Sequence, residues 1–494
     1  MTAGTVNITE TFAHHARAVP DRPAIVHGER VILYRDLDPL VRRAAAHLYS
    51  LGLAQGDVVG VALKDSIEHL IILSGLARAG IVILPLDWRW TPAEQERVIA
   101  HFGAKLALTE PGKPVPLNCP CISISEDFFS LVQKQSADRA FPEDDIPLLM
   151  SLSSGTTGRP KGPRIRHSQF LARYRVFWIN LGFNSQDRFL SATPFYYGGG
   201  RTFPLTMLYS GGTVFMLPPP YGPEALCEAL ERHRISALFL VPTLIRRLLT
   251  LPDAQLAPIR SLRLLLSSGS ALHAEERRHL RALCPGFVEY YSSTEGGGVS
   301  YLTAEDPETF DDSVGRPVFG VDVQCVDEDH RPQPAGKIGR IRYRGPAVAD
   351  GFWNDPEASR ESFRDGWWYP GDLGMLDEHG YLYLKGRAKD MIIRGGINIY
   401  PGEVEAALQS HPAVADCAVV GWPSREFNEE VAAFVILKAP AEEAKVAAEL
   451  RELCRGRMAP YKVPREVFVV KDFPRNALGK VIKADLSASL APLG

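Results

Sequence analysis

Val58-Val-Gly-Val-Ala-Leu-Lys-Asp-Ser-Ile-Glu-His-Leu-Ile-Ile-Leu-Ser-Gly-Leu-Ala-Arg-Ala-Gly-Ile-Val-Ile-Leu84 is the stretch whose reading decides the fold. Val58 to Leu63 is a short β-rich run, because branched side chains pack well on a pleated surface. Ile67 to Ala79 is an apolar-periodic helix, and Ile81 to Leu84 reads as a second strand. Arg78 breaks the apolar run from Leu70 to Leu86, and Gly80 divides it into helix and strand rather than a membrane span.

The same alternation recurs outward from this unit. Ala237 to Leu240 reads as a buried strand feeding a helix after Pro242. Leu262 to Leu266 reads as another, leading to a helix around Glu275 to Leu283. Strands alternating with helices call for parallel sheets, so the fold class is α/β. From Val321 to Arg344 the period changes to two, which predicts antiparallel strands joined by the turn-rich Asp327 to Gly336. A third texture starts near Lys389: helix Glu403 to Gln409, strands Ala415 to Val420 and Val431 to Lys438, helix Ala441 to Arg455, and strand Val467 to Val470. That is a small α+β domain of about 100 residues, large enough to fold alone.

Bulk properties exclude several classes. The 494 residues exceed one compact core, and 45% hydrophobic with 23% charged residues is ordinary for a soluble globular protein. A net charge of -3 supplies no field for nucleic acid. The seven cysteines are scattered, with one lone C-x-C pair at Cys119 and Cys121, which points to a reducing compartment and no structural zinc. The N-terminus carries neither a basic start nor an apolar core, so the expectation is a cytoplasmic protein with no membrane association.

Chemistry concentrates in five segments. Ser151-Leu-Ser-Ser-Gly-Thr-Thr-Gly-Arg-Pro-Lys-Gly162 is an anion loop, although Pro160 and Gly162 depart from the Walker pattern. Gly155 and Gly158 let backbone N–H groups turn toward phosphate oxygens, Ser153, Ser154, Thr156 and Thr157 add hydroxyls, and Lys161 adds a charge. Tyr290-Tyr-Ser-Ser-Thr-Glu295 follows a buried strand, which places a carboxylate where Mg²⁺ sits beside phosphates and a flat ring where a purine stacks. Trp368-Tyr-Pro-Gly-Asp372 puts an acid after a tight turn, where it can accept both hydroxyls of a ribose. Lys385 to Glu405 contains the pair Gly395-Gly396, a backbone without side-chain walls. Pro474-Arg-Asn-Ala-Leu-Gly-Lys480 carries a lone lysine after glycine. Each has a plainer explanation taken singly: a surface loop, a turn acid, a β turn, a solvated lysine.

Taken as an ordered set, together with Ser313-Val-Gly-Arg-Pro317, Arg344-Gly-Pro346 and Asn354-Asp-Pro-Glu357, these segments resemble the adenylate-forming superfamily of acyl-CoA synthetases, luciferases and peptide-synthetase adenylation domains. The resemblance covers nearly the whole chain and is nearest the acid–CoA ligases. It implies a large N-terminal domain, 1–388, of two αβ subdomains plus a β-barrel-like part, and a small mobile lid, 389–494, hinged at Lys389. It implies ATP, Mg²⁺ and CoA as cofactors, and two half-reactions: adenylation of a small carboxylate, then transfer to the thiol of CoA, with a carrier protein or an amine as the alternative acceptor. By matching residue, Ser153, Ser154, Gly155, Thr156, Thr157 and Lys161 would hold the β- and γ-phosphates. Thr294 would contact the α-phosphate and Glu295 would bind Mg²⁺. Tyr291 would stack on adenine beside Ser270 and Ala271, and Asp372 and Arg387 would take the ribose. Lys480 would bridge carboxylate and α-phosphate, and Gly395 and Gly396 would flank the pantetheine tunnel.

The chain also departs from that family. Tyr197 stands where synthetases often carry a histidine, in Pro194-Phe-Tyr-Tyr-Gly-Gly-Gly-Arg201, and Pro370 stands where a threonine is common. Gly198, Gly199 and Gly200 are expected to leave the pocket wall bare, and Arg201 to lie on the surface, the alternative being that it meets a second anionic group. Tyr196, Tyr197, Ser292 and Ser293 make the expected pocket partly polar, which favours an aryl or functionalised acid over a long fatty acid. The absence of aspartate from this segment argues against α-amino acids. A catalytically silent module of the same fold is the remaining alternative, against which Lys480, Glu295 and Asp372 all stand.

Overall fold

The computed structural model describes residues 6–113, 118–125, 127–136, 141–142, 144–152, 161–270, 272, 274–475 and 481–493. It divides into two compact units: Met1–Asp311 with Gly315–Asp322 and Tyr343–Trp368, and Asp312–Val314 with Val323–Arg342 and Tyr369–Gly494.

The first unit is built on two sheets. One runs in the order Cys121–Ser123, Leu106–Thr109, Val58–Ala62, Val82–Pro85, Pro147–Met150, Arg164–Arg166, parallel except for its last pair. Its strand–helix–strand unit has the helix at Ile67–Ala79, as its periodicity predicts. Ser66 caps it by accepting the His69 N–H at 3.1 Å, and Gly80 ends it at φ 69. Every residue of that helix except Glu68 is buried, which explains its near-continuous apolar sequence.

The second sheet has nine strands, in the order Arg316–Pro317, Gly297–Thr303, Phe287–Ser293, Leu264–Ser267, Ala237–Leu240, Arg188–Ser191, Thr213–Met216, Pro23–His27, Arg30–Leu33. The interior pairings are parallel and the edges antiparallel. From Arg188–Ser191 the chain steps to Thr213–Met216 on one side, then crosses back to Ala237–Leu240 on the other. That reversal is a switch point, and it opens a crevice at the carboxyl ends of the two flanking strands.

In the second unit, Asp372–Leu376 and Leu382–Arg387 form an antiparallel pair, and Gly339 and Arg340 pair with Gly374 and Leu373. The period-two segments are strands at Asp322–Val326 and Gly339–Arg344. The α+β texture beyond Lys389 is a core of Ile392, Ile399, Val404, Leu408, Val419, Val431, Val435 and Leu450. Its strand Val414–Ser424 outruns the apolar stretch because Asn428–Leu437 pairs with it through Ser424. No helix among the described residues is long and apolar enough to cross a membrane.

Candidate active site

At the switch point, the Arg188–Ser191 strand leads through Thr193 to Tyr197 into a helix over Gly198–Ser210. Thr193 ties the two flanking strands by donating to the Phe239 carbonyl at 3.1 Å. The glycines here do not leave a bare wall, contrary to expectation. A Cβ on Gly200 would fall 2.0 Å from the Pro194 carbonyl oxygen, and one on Gly199 2.5 Å from the Phe239 ring. Glycine is required so that the helix start can press onto the strand ends. Only at Gly198 is there room, with the Ser151 hydroxyl 3.9 Å away.

Arg201 is the second correction. It is 1% exposed rather than a surface residue. Its guanidinium donates to the carbonyls of Phe195 at 2.6 Å and Tyr196 at 3.4 Å, and to the Ser151 hydroxyl at 3.0 Å. Nε has no partner. Burial, and then the charge on Arg173, pull its pKa down to about 9. The helix that carries Arg201 packs face-on against the sheet, so a position near its start is interior whatever its polarity.

Tyr196 and Tyr197 are partly exposed, with ring centroids 4.5 Å apart. The Tyr196 hydroxyl accepts from Arg89 at 2.7 Å, and Arg89 is itself forked onto Asp87 at 2.9 and 2.6 Å. Two titratable groups reach this segment from the Ser66 turn and helix. Asp65 accepts the Phe195 N–H at 3.0 Å, and desolvation raises its pKa to about 7. His69 packs edge-on against Phe195 and donates to the Lys64 carbonyl at 3.1 Å, and burial drops its pKa to about 3. A histidine thus does lie against this segment, but from far upstream and held neutral.

The Phe287–Ser293 strand delivers Tyr291, Ser292, Ser293 and Thr294 partly exposed, with Glu295 buried at 8%. The Ser292 hydroxyl shares a 3.0 Å hydrogen bond with Ser268, at the end of the neighbouring Leu264–Ser267 strand. Ser293 serves its own turn: its hydroxyl accepts the Gly296 N–H at 2.9 Å and meets the Tyr343 hydroxyl at 2.6 Å. Ser270 is exposed two residues beyond Ser268.

Arg173 lies under this turn, buried, and donates to the carbonyls of Thr294 at 3.0 Å, Glu295 at 3.3 Å and Ala347 at 3.3 Å. It therefore fixes the backbone of Thr294 and Glu295, and among the described residues the Glu295 carboxylate makes no hydrogen bond or ion pair, although it feels the Arg173 charge. One buried carboxylate at a strand end fits Mg²⁺, which takes one or two carboxylates and keeps water. Among the described residues there is no cluster of three metal-ligating side chains that would compete with that reading.

Lys161 is partly buried, with Nζ 5.0 Å from the Phe352 ring centroid. Ser153, Ser154, Gly155, Thr156, Thr157, Ala271 and Lys480 lie outside the described residues.

In the second unit, Asp372 and Arg387 are cross-strand partners, joined by an ion pair at 2.9 Å. Arg387 also donates to the Pro370 carbonyl at 2.6 Å. Lys389 is exposed in a short 3₁₀ turn over Ala388–Asp390. Gly395 (φ 55) and Gly396 (φ 82) form the two-residue turn of the hairpin Ile392–Arg394 and Ile397–Ile399, where both positions need positive φ.

Arg173 and Asp65 escaped the sequence reading. Neither sits in a motif, and only the long-range hydrogen bonds to Thr294 and Phe195 reveal them. All seven cysteines are free thiols.

Comparison with known proteins places these features in context. Residues 12–353 match the model of the AMP-binding enzymes, and residues 403–480 match the AMP-binding enzyme C-terminal domain. An indoleacetate–CoA ligase of Aromatoleum aromaticum is 32% identical, with 98% of each chain covered. A feruloyl-CoA synthase of Amycolatopsis sp is 32% identical over 95% of this chain and 96% of its own. Among solved structures, ATP-bound MatB from Rhodopseudomonas palustris gives a TM-score of 0.89 at 29% identity, covering 98% of this chain and 99% of that one.

Proposed function

The chain belongs to the AMP-binding enzymes, and from that premise we propose that it activates an aryl or otherwise functionalised carboxylic acid as an acyl-adenylate and passes the acyl group to the thiol of CoA. Its class is that of the AMP-forming acid–thiol ligases, which use ATP, Mg²⁺ and CoA. The observation that carries the reading is the turn after Phe287–Ser293. There Arg173 holds the Thr294 and Glu295 backbone by its carbonyls, and the Glu295 carboxylate makes no hydrogen bond among the described residues. In this reading Glu295 holds Mg²⁺, which when bound neutralises phosphate charge, and Thr294 donates to the α-phosphate.

Lys161 and the hydroxyl-rich loop before it hold the outer phosphates. Tyr291 stacks on adenine, with Ser270 and Ala271 beside it. Asp372 accepts the ribose hydroxyls, with Arg387 fixing its carboxylate. Lys480 offsets the repulsion between an attacking carboxylate and the α-phosphate. Residues 389–494 act as the lid, and the Gly395-Gly396 turn lets pantetheine pass close to backbone. The aryl or functionalised substrate class is supported by the partly polar wall at Tyr196, Tyr197 and Ser292, and by relatives named for indoleacetate and ferulate.

The test is pyrophosphate release against a panel of aryl, cyclic, short and long carboxylates, with free CoA and a purified carrier compared as acceptors. Aryl acids are expected to lead. Release with none of the acids would leave the fold without this activity, and transfer only to the carrier would replace CoA as acceptor. Lys480→Ala is expected to cut adenylation by about 10²–10³, the worth of one preorganised cation. Thioester formation from supplied acyl-adenylate should be largely retained. Equal loss in both half-reactions contradicts a role confined to the first.

A further inference from the structure

Within the second unit, the two flanks of the segment that ends in Lys480 meet at one neck. The Ile482 N–H donates to the Pro474 carbonyl at 2.8 Å, and Arg475 and Val481 form an antiparallel bridge. In sequence, Lys480 stands directly before Val481. Behind the neck, Phe473 on one flank and Leu486 on the other are buried with Ala418, Val420, Ala432 and Phe434.

Each flank also carries a cation paired with an acid. Arg475 meets Asp416 at 2.7 Å, and Asp416 belongs to the strand Val414–Ser424. The pairing register of that strand shifts between Val414 and Asp416, an irregularity of the kind that re-aims a side chain. Lys483 meets Glu405 at 2.6 Å. Glu405 comes from the helix Pro401–Gln409, and its Oε1 also accepts the Val419 N–H at 2.7 Å. Both acids are thus fixed to one strand, and both pull on the neck. The four side chains are 23–33% exposed, where ion pairs add little to stability. The apolar contacts already hold the flanks down. What two ion pairs on opposite flanks add is direction.

We propose that Asp416 and Glu405 are positioning residues for Lys480, acting through Arg475 and Lys483, and that they serve adenylation and not thiol transfer. This role rests on the ligase reading, in which Lys480 offsets the repulsion between carboxylate and α-phosphate. A preorganised cation is effective only where it is held, and a misplacement of about 1 Å can cost about 10²-fold in rate.

Rapid-quench kinetics on the full chain separates the two half-reactions. Adenylation is followed with ATP and the acid that leads the pyrophosphate panel. Transfer is followed from the supplied acyl-adenylate of that acid to the acceptor found there. Asp416→Asn and Glu405→Gln remove charge but keep acceptors for the Cys417 and Val419 N–H groups. Glu452→Gln, which breaks the exposed pair with Arg455, is the control and should match wild type in both steps. Each of the two variants is expected to lower kcat for adenylation about tenfold, with KM for ATP and the rate of transfer within about twofold of wild type. In a Lys480→Ala background, Asp416→Asn should cost nothing further, because residues that act as one unit are not additive.

Adenylation and transfer falling by the same factor, with a lowered Tm, would make the pairs purely structural and overturn the role. So would an Asp416→Asn loss that persists in full without Lys480, or adenylation within about twofold of wild type in both variants. If one variant does not fold, the other decides; if neither folds, the pairs are structural and the role falls. A wild type that adenylates beside variants that match it discards this role and leaves the ligase reading standing. A wild type that adenylates none of the acids discards the reading, and the role with it.

Discussion

Arg394 and Arg201 each adjoin a run of glycines, and the protein treats their charges in opposite ways. Arg394, beside Gly395-Gly396, forks onto Glu430 at 2.6 and 3.1 Å, and Arg465 approaches the same carboxylate at 3.4 Å. Its guanidinium also lies 4.2 Å from the Phe427 ring centroid, and Phe427 accepts the Gly395 N–H at 2.7 Å. Burial alone would raise the Glu430 pKa, but the bonds and charge of Arg394 and Arg465 hold it below the usual value. Arg201, after Gly198 to Gly200, has carbonyls and one hydroxyl but no acid among the described residues. The matched charge closes on itself and pins a turn. The other is held by two carbonyls and a hydroxyl.

Deleting each cation gives the sharpest contrast. Arg394→Met strands the buried Glu430 with only the more distant Arg465, and should cost about 3 kcal/mol, the low end for breaking a buried pair. Arg201→Met should cost far less in the same denaturant titration of the full chain. Equal losses would erase the distinction.

A smaller effect is expected at Gly396. A Cβ there meets nothing within 4 Å, but φ is 82, so Gly396→Ala should cost about 1 kcal/mol from backbone alone. If the turn serves thiol entry, thioester formation slows while pyrophosphate release does not.

A different kind of effect is a pH slope at Asp65, next to the Arg201 region. Folded Asp65 holds its proton to about 7, against 3.8 for an ordinary aspartate. Between those values the folded state binds more protons than the unfolded chain. The contribution of Asp65 to stability therefore falls as pH rises from about 4 to 7. Asp65→Asn keeps an acceptor for the Phe195 N–H and removes the slope. Its Tm should match that of wild type near pH 4 and exceed it by about 4 °C at pH 8. Parallel Tm curves would show that Asp65 ionises normally.

Much of this was legible beforehand. The Ile67–Ala79 helix is bounded by Ser66 and Gly80, whose capping chemistry is local, so periodicity located it to the residue. Glu295 could be placed at a strand end because Phe287–Ser293 announces itself by its own composition. Asp372 and Arg387 were each readable, yet their pairing depends on the register of a hairpin, which only backbone hydrogen bonding sets. The glycines at 199 and 200 were read as empty space and are close packing. Sequence shows where a Cβ is missing, not what lies against it.

Local order along the chain determined by itself the α/β class, the change of texture near Lys389 and the residue types proposed to meet ATP, because helix periods, strand composition and glycine turns act over a few residues. Only the tertiary structure decided which charges are matched. Arg394 finds Glu430 36 residues away, Arg201 reaches back 50 residues to Ser151 and meets no acid among the described residues, and Arg173 crosses 121 residues to the Thr294 carbonyl. Whether a buried cation has a counter-charge is a property of packing between distant elements, and no spacing in the sequence encodes it.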